Sequence, residues 1–385
     1  MPNVPAARTW HPSYVAAGYL TLLGAAYFDS MRGPLVPVLV QELGVPYRLA
    51  SWFLTAGNIA ALFFLALMNP AFRLIGEKRV GVAACLLATV AGIVAPFVDG
   101  FVSLLILGVV IGGSIAVVGA LCNIYTLRGS PDPWKSRMLA GNHVMYGIGS
   151  FGAPLIVAAA IAHHTPWHWL VGLGATFFFV IGVIIARKVP TLPFETLAET
   201  HHDATDRGFQ ALVVALLTAY VVGEVMACMW LVTFLTEARG FTVIHASDVL
   251  SGVYLVMALT RLACFLFIRQ SWEHGVLFAS LTVAMIAYLL GRVGSTWAFI
   301  AMGAFGPFFP LLLARVSRQV PGLWRSLTVK VMIAIQLSLA IFHTVVGQLT
   351  DRLGIALAYS LPPVIFGLVL ILLTIYFRWE KHFER

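Results

Sequence analysis

Four charged residues stand inside apolar stretches that would otherwise carry none: Asp29 and Arg32 within Tyr27-Phe28-Asp29-Ser30-Met31-Arg32-Gly33, Glu224 within Gly223-Glu224-Val225-Met226, and Arg261. An ionisable group inside a membrane span costs several kcal/mol unless it is paired or faces a water-filled cavity, so such groups mark pathways and proton relays. Asp29 and Arg32 are three residues apart and therefore share one helical face. Asp29 is the first candidate for a proton-carrying carboxylate and Glu224 the second. Arg261 and Arg32 either neutralise these acids or bind an anionic substrate, because a guanidinium offers a fixed fork to a carboxylate or phosphate. Two internal ion pairs that only hold helices together explain the same four charges equally well.

Around these charges lie weaker candidates. Asn58, Asn123 and Gln336 are expected substrate hydrogen-bonders, and the scarcity of such amides speaks against a heavily hydroxylated ligand. Trp52, Tyr220 and Trp230 are aromatic surfaces that can floor a cavity. A histidine can shuttle protons near neutral pH, which makes His143 and His343 candidates, but single histidines in helices usually serve packing contacts. Met226 and Met229 share a helical face, with Cys228 turned away, and soft ligands of this kind suit copper(I); methionine used as core filler accounts for them as well. The glycines Gly108, Gly112, Gly113 and Gly119 lack the lysine-serine/threonine ending of a phosphate loop and instead predict close helix packing. No nucleophile-base-acid constellation is present, so no enzyme activity, and no cofactor, is expected.

The elements that must carry these residues are set by composition. Of 385 residues, 60% are hydrophobic and 10% charged, with a mean hydropathy of +0.92; soluble chains carry about a quarter charged residues. The chain is therefore an all-α membrane protein in which twelve apolar runs of about 20 residues predict twelve transmembrane helices, the first over 13–41 and the last over 355–377. A formal charge of +8 does not imply nucleic acid, because the basic residues are scattered between the runs rather than gathered on one face. Cys85, Cys122, Cys228 and Cys264 all fall inside runs and form no short-spaced pair. The first run is too long for a signal-peptide core and is expected to be retained.

With the N-terminus inside, 18 of the 24 lysines and arginines fall on the cytoplasmic side, which predicts both termini cytoplasmic in an inner membrane. The polar stretch Arg187 to Gly208, with Pro190, Pro193, His201 and His202, divides the runs six and six. We expect an N-terminal bundle over 1–187, a cytoplasmic linker over 188–208 and a C-terminal bundle over 209–385. The halves echo each other: a shift of 195 lays Asp29 on Glu224, Glu42 on Glu237 and Gly152 on Gly347. Parallel six-helix repeats of this kind place a substrate site near the midplane between the halves in one large transporter class.

Over essentially its whole length the chain resembles the major facilitator superfamily. After the second run, Asn69, Arg73, Gly76, Lys78 and Arg79 occupy positions of that family's cytoplasmic signature, Asn69 and Arg73 standing where it has a glycine and an aspartate. Within the superfamily it is similar to the fucose:proton symporter branch, through Pro34-Leu35-Val36-Pro37, Tyr146-Gly147-Ile148-Gly149-Ser150-Phe151-Gly152-Ala153-Pro154, Phe309-Pro310, Gly347-Gln348-Leu349-Thr350-Asp351-Arg352-Leu353-Gly354 and Leu361-Pro362. That resemblance implies a helix-1 aspartate in proton coupling, for which Asp29 stands about one turn from the expected place. The branch's helix-4 glutamate has no counterpart, since Gly112 to Tyr125 contains no acid.

The expectation is a secondary transporter of two pseudo-symmetric six-helix bundles, working by alternating access and functional as a monomer. It moves a small polar or anionic organic solute with protons, Asp29 and Glu224 coupling and Arg32 and Arg261 balancing charge or holding substrate. The alternatives are a multidrug or metabolite exporter of the same fold, a soft-metal importer, and a non-transporting membrane receptor.

Overall fold

The structure, a computed structural model, describes residues 10–131, 134–191, 207–320 and 324–383. The expected linker's His201 and His202, and the N-terminal Arg8, lie outside the described residues. Among those described the secondary structure is helical throughout. The helices are α1 (Pro12–Leu43), α2 (Tyr47–Ile75), α3 (Glu77–Val94), α4 (Phe101–Gly129), α5 (Lys135–Ala162), α6 (His168–Lys188) and α7 (Arg207–Met229). They continue with α8 (Leu231–Arg239), α9 (Val243–Phe267), α10 (Glu273–Val293), α11 (Phe308–Gln319), α12 (Trp324–Leu353), α13 (Ile355–Ala358) and α14 (Leu361–Phe383).

Eleven spans among the described residues are long and apolar enough to cross a bilayer by themselves. The first span, α1, falls outside that set because Asp29, Arg32 and its tyrosines, glycines and prolines dilute its apolar residues. It is nonetheless enclosed, because α4, α5 and α6 pack around it and most of its residues are buried. A helix wrapped by neighbours can carry polar groups that a lipid-facing one cannot.

Among the spans that depart from a single α-helix, two do so with an identifiable reason. The run predicted over 209–236 breaks at Trp230 into α7 and α8. The Ala227 carbonyl beside the break accepts the Tyr359 hydroxyl at 2.5 Å, which satisfies a group that hydrocarbon would leave stranded. The span Thr296–Gln319 begins as 3₁₀-helix over Thr296–Phe305 and becomes α11 only beyond Pro307. Prolines at 307 and 310 have no N–H, so the ladder bonds to the carbonyls of Gly303 and Gly306 cannot form.

The chain forms two compact units. Among the described residues, one takes in those of Met1–Val45 and Ala56–Glu195, the other those of Pro46–Thr55 and Thr196–Arg385. The first turns of α2 thus group with the second unit, a division that no composition shift signals. There, the Asp351 carboxylate accepts the backbone N–H of Tyr47 and of Arg48, both at 2.9 Å, and so caps α2. Thr55 Oγ1 and Thr344 Oγ1 are 3.0 Å apart.

Each unit repeats one ion pair. In the first, buried Glu77 at the start of α3 meets Arg128 at the end of α4, 3.1 Å away. In the second, buried Glu273 at the start of α10 meets Arg315 at 2.9 Å and Arg318 at 2.5 Å, both in α11. Arg315 also reaches Glu380 in α14 at 2.7 Å. Within the glycine run, a side chain at Gly112 would collide with the backbone of Gly57, so α2 and α4 touch backbone to backbone there, whereas Gly119 has open space at its Cβ position.

Candidate functional site

In the first unit the site is built on α1 and α5. One helical turn brings Arg32 back onto Asp29, and its Nη2 pairs with Asp29 Oδ1. The second carboxylate oxygen, Oδ2, accepts the Tyr146 hydroxyl of α5 at 2.9 Å. An ionised carboxylate is acceptor-only, and both of its oxygens are engaged here. The pair is asymmetric in exposure, 28% for the Asp29 side chain against 9% for Arg32, so water reaches the acid far more readily than the guanidinium. Pro34 removes the ladder donor for the Ser30 carbonyl next to Asp29. The buried hydroxyls of Ser30 and of Ser150, one turn beyond Tyr146, have no partner among the described residues, and such orphans mark places for water or solute.

In the second unit α7 and α9 supply the charges. Arg261 Nη2 lies 3.2 Å from Glu224 Oε1, with the two side chains 12% and 16% exposed. Arg261 Nε donates at 2.9 Å to the Gly306 carbonyl, the group that Pro310 leaves without its ladder donor. The Phe309-Pro310 motif therefore has a direct physical role, since it supplies the acceptor that fixes Arg261. Tyr220, one turn before Glu224, donates its hydroxyl to the Phe305 carbonyl at 2.9 Å and stacks on Phe308 with ring centroids 4.4 Å apart.

The four intramembrane charges thus form two ion pairs, each inside its own unit. The remaining candidates are placed as follows. Asn58 is buried in α2, next to Gly57, whose Cβ position lies 3.6 Å from Arg32 Nη1. Trp52 is exposed. Asn123 and His143 are exposed at α4 and α5, and buried Asn142 donates to Asn123 Oδ1 at 3.4 Å and to the Cys122 carbonyl at 3.3 Å. Gln336 in α12 has its Oε1 buried without a partner among the described residues. Tyr220 and Trp230 are sealed in the interior rather than presented as an open floor. Trp230 Nε1 donates to His343 Nδ1 at 3.2 Å, so this histidine joins α12 to the α7–α8 break. Met226 and Met229 are buried.

Sequence reasoning assigned no individual role to Tyr146, Tyr359 or Asp351. For Tyr146 the signal was its place in a glycine-rich motif, whose helix α5 packs beside the helix carrying Asp29. The other two act on backbone groups, to which residue type gives no clue.

The sequence profile of the family described as Major Facilitator Superfamily matches residues 18–322. Among curated proteins, "Efflux pump DEP3" of Alternaria brassicicola is 28% identical over 196 residues, which is 49% of this chain and only 34% of the pump's own length. Among solved structures, the nucleoside transporter NupG superposes with a TM-score of 0.68 at 16% identity, covering 96% of this chain and 99% of that one. The D-xylose-proton symporter superposes with a TM-score of 0.73 at 14% identity, covering 94% and 97%. At such identities the likeness is one of fold.

Proposed function

Since the chain belongs to the Major Facilitator Superfamily, and is a transporter rather than an enzyme, we propose that it couples the movement of a small polar or anionic organic solute to protons. The observation that carries this reading is the Asp29–Arg32–Tyr146 constellation, an ion pair whose acid is water-accessible and whose base is not. A proton arriving at Asp29 displaces one of the two donors on its carboxylate. Arg32 then has no counter-charge and binds the solute's anionic group in its place, so proton and anion load together. Glu224 and Arg261 form the corresponding pair of the second unit, with Arg261 held more firmly through Gly306. Asn58, Asn123, Gln336, Trp52 and His143 supply further contacts to the solute, while Tyr220 and Trp230 set the shape behind them.

Uptake as a symporter follows the likeness to the fucose:proton branch, and the excess of lysine and arginine on one side supports an inner membrane with both termini cytoplasmic. The protein works as a monomer in this reading. The match to an efflux pump favours a second reading, export in exchange for protons through the same pairs. A thermal-shift screen over sugars, carboxylates, amino acids and nucleosides at two pH values finds the solute. Flux of that solute in proteoliposomes under an imposed pH gradient then tests coupling: acid-side-driven accumulation supports symport, accumulation against it supports exchange, and flux indifferent to the gradient refutes both.

A further inference from the structure

On the second unit a groove of ≈ 380 Å³ opens between α9, α10 and the Thr296–Gln319 span. It exists because small residues at Ala263, Ala279 and Ala304 keep the three elements from filling the space. Its walls offer nothing to a polar solute. The Thr260 hydroxyl has the carbonyls of Val256, Met257 and Gly303 as acceptors for its one proton, at 2.8, 3.1 and 3.2 Å, and the Ser280 hydroxyl donates to that of Leu277 at 3.1 Å. What remains is methyl, ring and thiol surface, with Phe267 and Val283 on the exposed flank of their helices. In a membrane-spanning unit that flank meets the bilayer, and a void there forgoes dispersion contacts on one side.

At one end of the groove stands Trp272, which lines it and carries Arg269 over its ring at 5.1 Å. Arg269 is exposed and has no carboxylate partner among the described residues. The adjacent acid, Glu273, is already taken by Arg315 and Arg318. An apolar slot that ends at an aromatic ring and an unpaired guanidinium matches a phospholipid: acyl chain in the slot, phosphate on the cation. Because hydrocarbon has no preference between lipid and protein surface, selectivity must come from the headgroup, and a cation selects for net negative charge.

We propose that this groove is a binding site for an anionic phospholipid, with its acyl chain along Cys264 and Val283 and its headgroup phosphate on Arg269 beside Trp272. The site depends on the chain spanning a bilayer and not on proton coupling, so it stands or falls separately from the transport reading. The test uses the full chain in detergent, exposed to dioleoyl phosphatidylglycerol or dioleoyl phosphatidylcholine, with retained lipid counted by native mass spectrometry. The wild type is expected to retain phosphatidylglycerol in preference to phosphatidylcholine. Arg269→Gln is expected to lower phosphatidylglycerol retention about fivefold, the equivalent of one basic residue facing an anionic headgroup. Ala279→Trp and, independently, Val283→Trp block the slot from its exposed flank and are expected to lower retention of both lipids. Equal retention of the two lipids by the wild type, or unchanged phosphatidylglycerol retention in Arg269→Gln or in both tryptophan variants, overturns the proposal.

Discussion

Replacing Asp29 by asparagine removes the charge that Arg32 faces while preserving the size of the side chain. Where both partners of an ion pair are sealed, deleting one costs about 3–5 kcal/mol, because the other is left charged and dry. Here the guanidinium is 9% exposed but the acid 28%, so solvent already screens part of the interaction. The expected loss is therefore nearer ~2 kcal/mol. The amide oxygen of the introduced asparagine still accepts one hydrogen bond, so the loss should not exceed the lower end of the sealed-pair range. Arg32→Gln alone leaves the acid able to rehydrate, and the double variant leaves no charge stranded. The double variant should thus recover most of what Asp29→Asn loses, a coupling of about 1 kcal/mol or more in a double-mutant cycle. Thermal unfolding of the purified chain reads this as a fall of roughly 4–8 °C for Asp29→Asn if the unit unfolds as a domain of about 200 residues. The same variant in proteoliposomes should still exchange solute for solute but lose its response to a pH gradient. An Asp29→Asn protein as stable as wild type, or a double variant less stable than the single one, refutes the ion-pair argument. An unchanged response to the gradient refutes Asp29 as the proton carrier.

Other substitutions probe the scaffold. Glu273→Gln leaves Arg315 and Arg318 facing a neutral group and should destabilise by about 2–3 kcal/mol, read as a lowered unfolding temperature that Arg318→Gln alone does not reproduce, since that side chain is 44% exposed. Asp351→Ala strips the carboxylate from the N-terminus of α2 and should cost ~1–2 kcal/mol, detectable as faster hydrogen exchange over the first turn of α2 with other helices unchanged. Gly112→Leu forces α2 and α4 apart at Gly57 and should cost about 3 kcal/mol or more, seen as loss of folded protein on size-exclusion chromatography, whereas Gly119→Ala, with open space at its Cβ position, should behave as wild type. Tyr359→Phe leaves the Ala227 carbonyl without its donor at the α7–α8 break and should cost ~1–3 kcal/mol, measured by the same thermal scan.

Much of this protein is written in its composition. Apolar runs of membrane-spanning length, broken by polar connections, oblige the backbone to close its hydrogen bonds within each helix, so the helical type of the elements and eleven of the spans follow from hydropathy. The internal echo at a shift of 195, which lays Asp29 on Glu224, is likewise legible in the sequence. The four charges were conspicuous for the same reason: a charge among apolar residues is visible without any structure.

What the sequence left open was pairing. Spacing along one helix placed Asp29 against Arg32, but only packing brings α5 alongside so that Tyr146 completes that carboxylate. Glu224 and Arg261 lie 37 residues apart, on different helices. Their pairing depends on a carbonyl that Pro310 frees and Arg261 captures, a contact between spans that no local pattern encodes. The break at Trp230, the capping of α2 by Asp351 and the assignment of the first turns of α2 to the second unit are decided in the same way. Each turns on a single polar atom whose partner is distant in sequence, and in a nonpolar interior the location of that partner determines where a helix bends, ends or holds a charge.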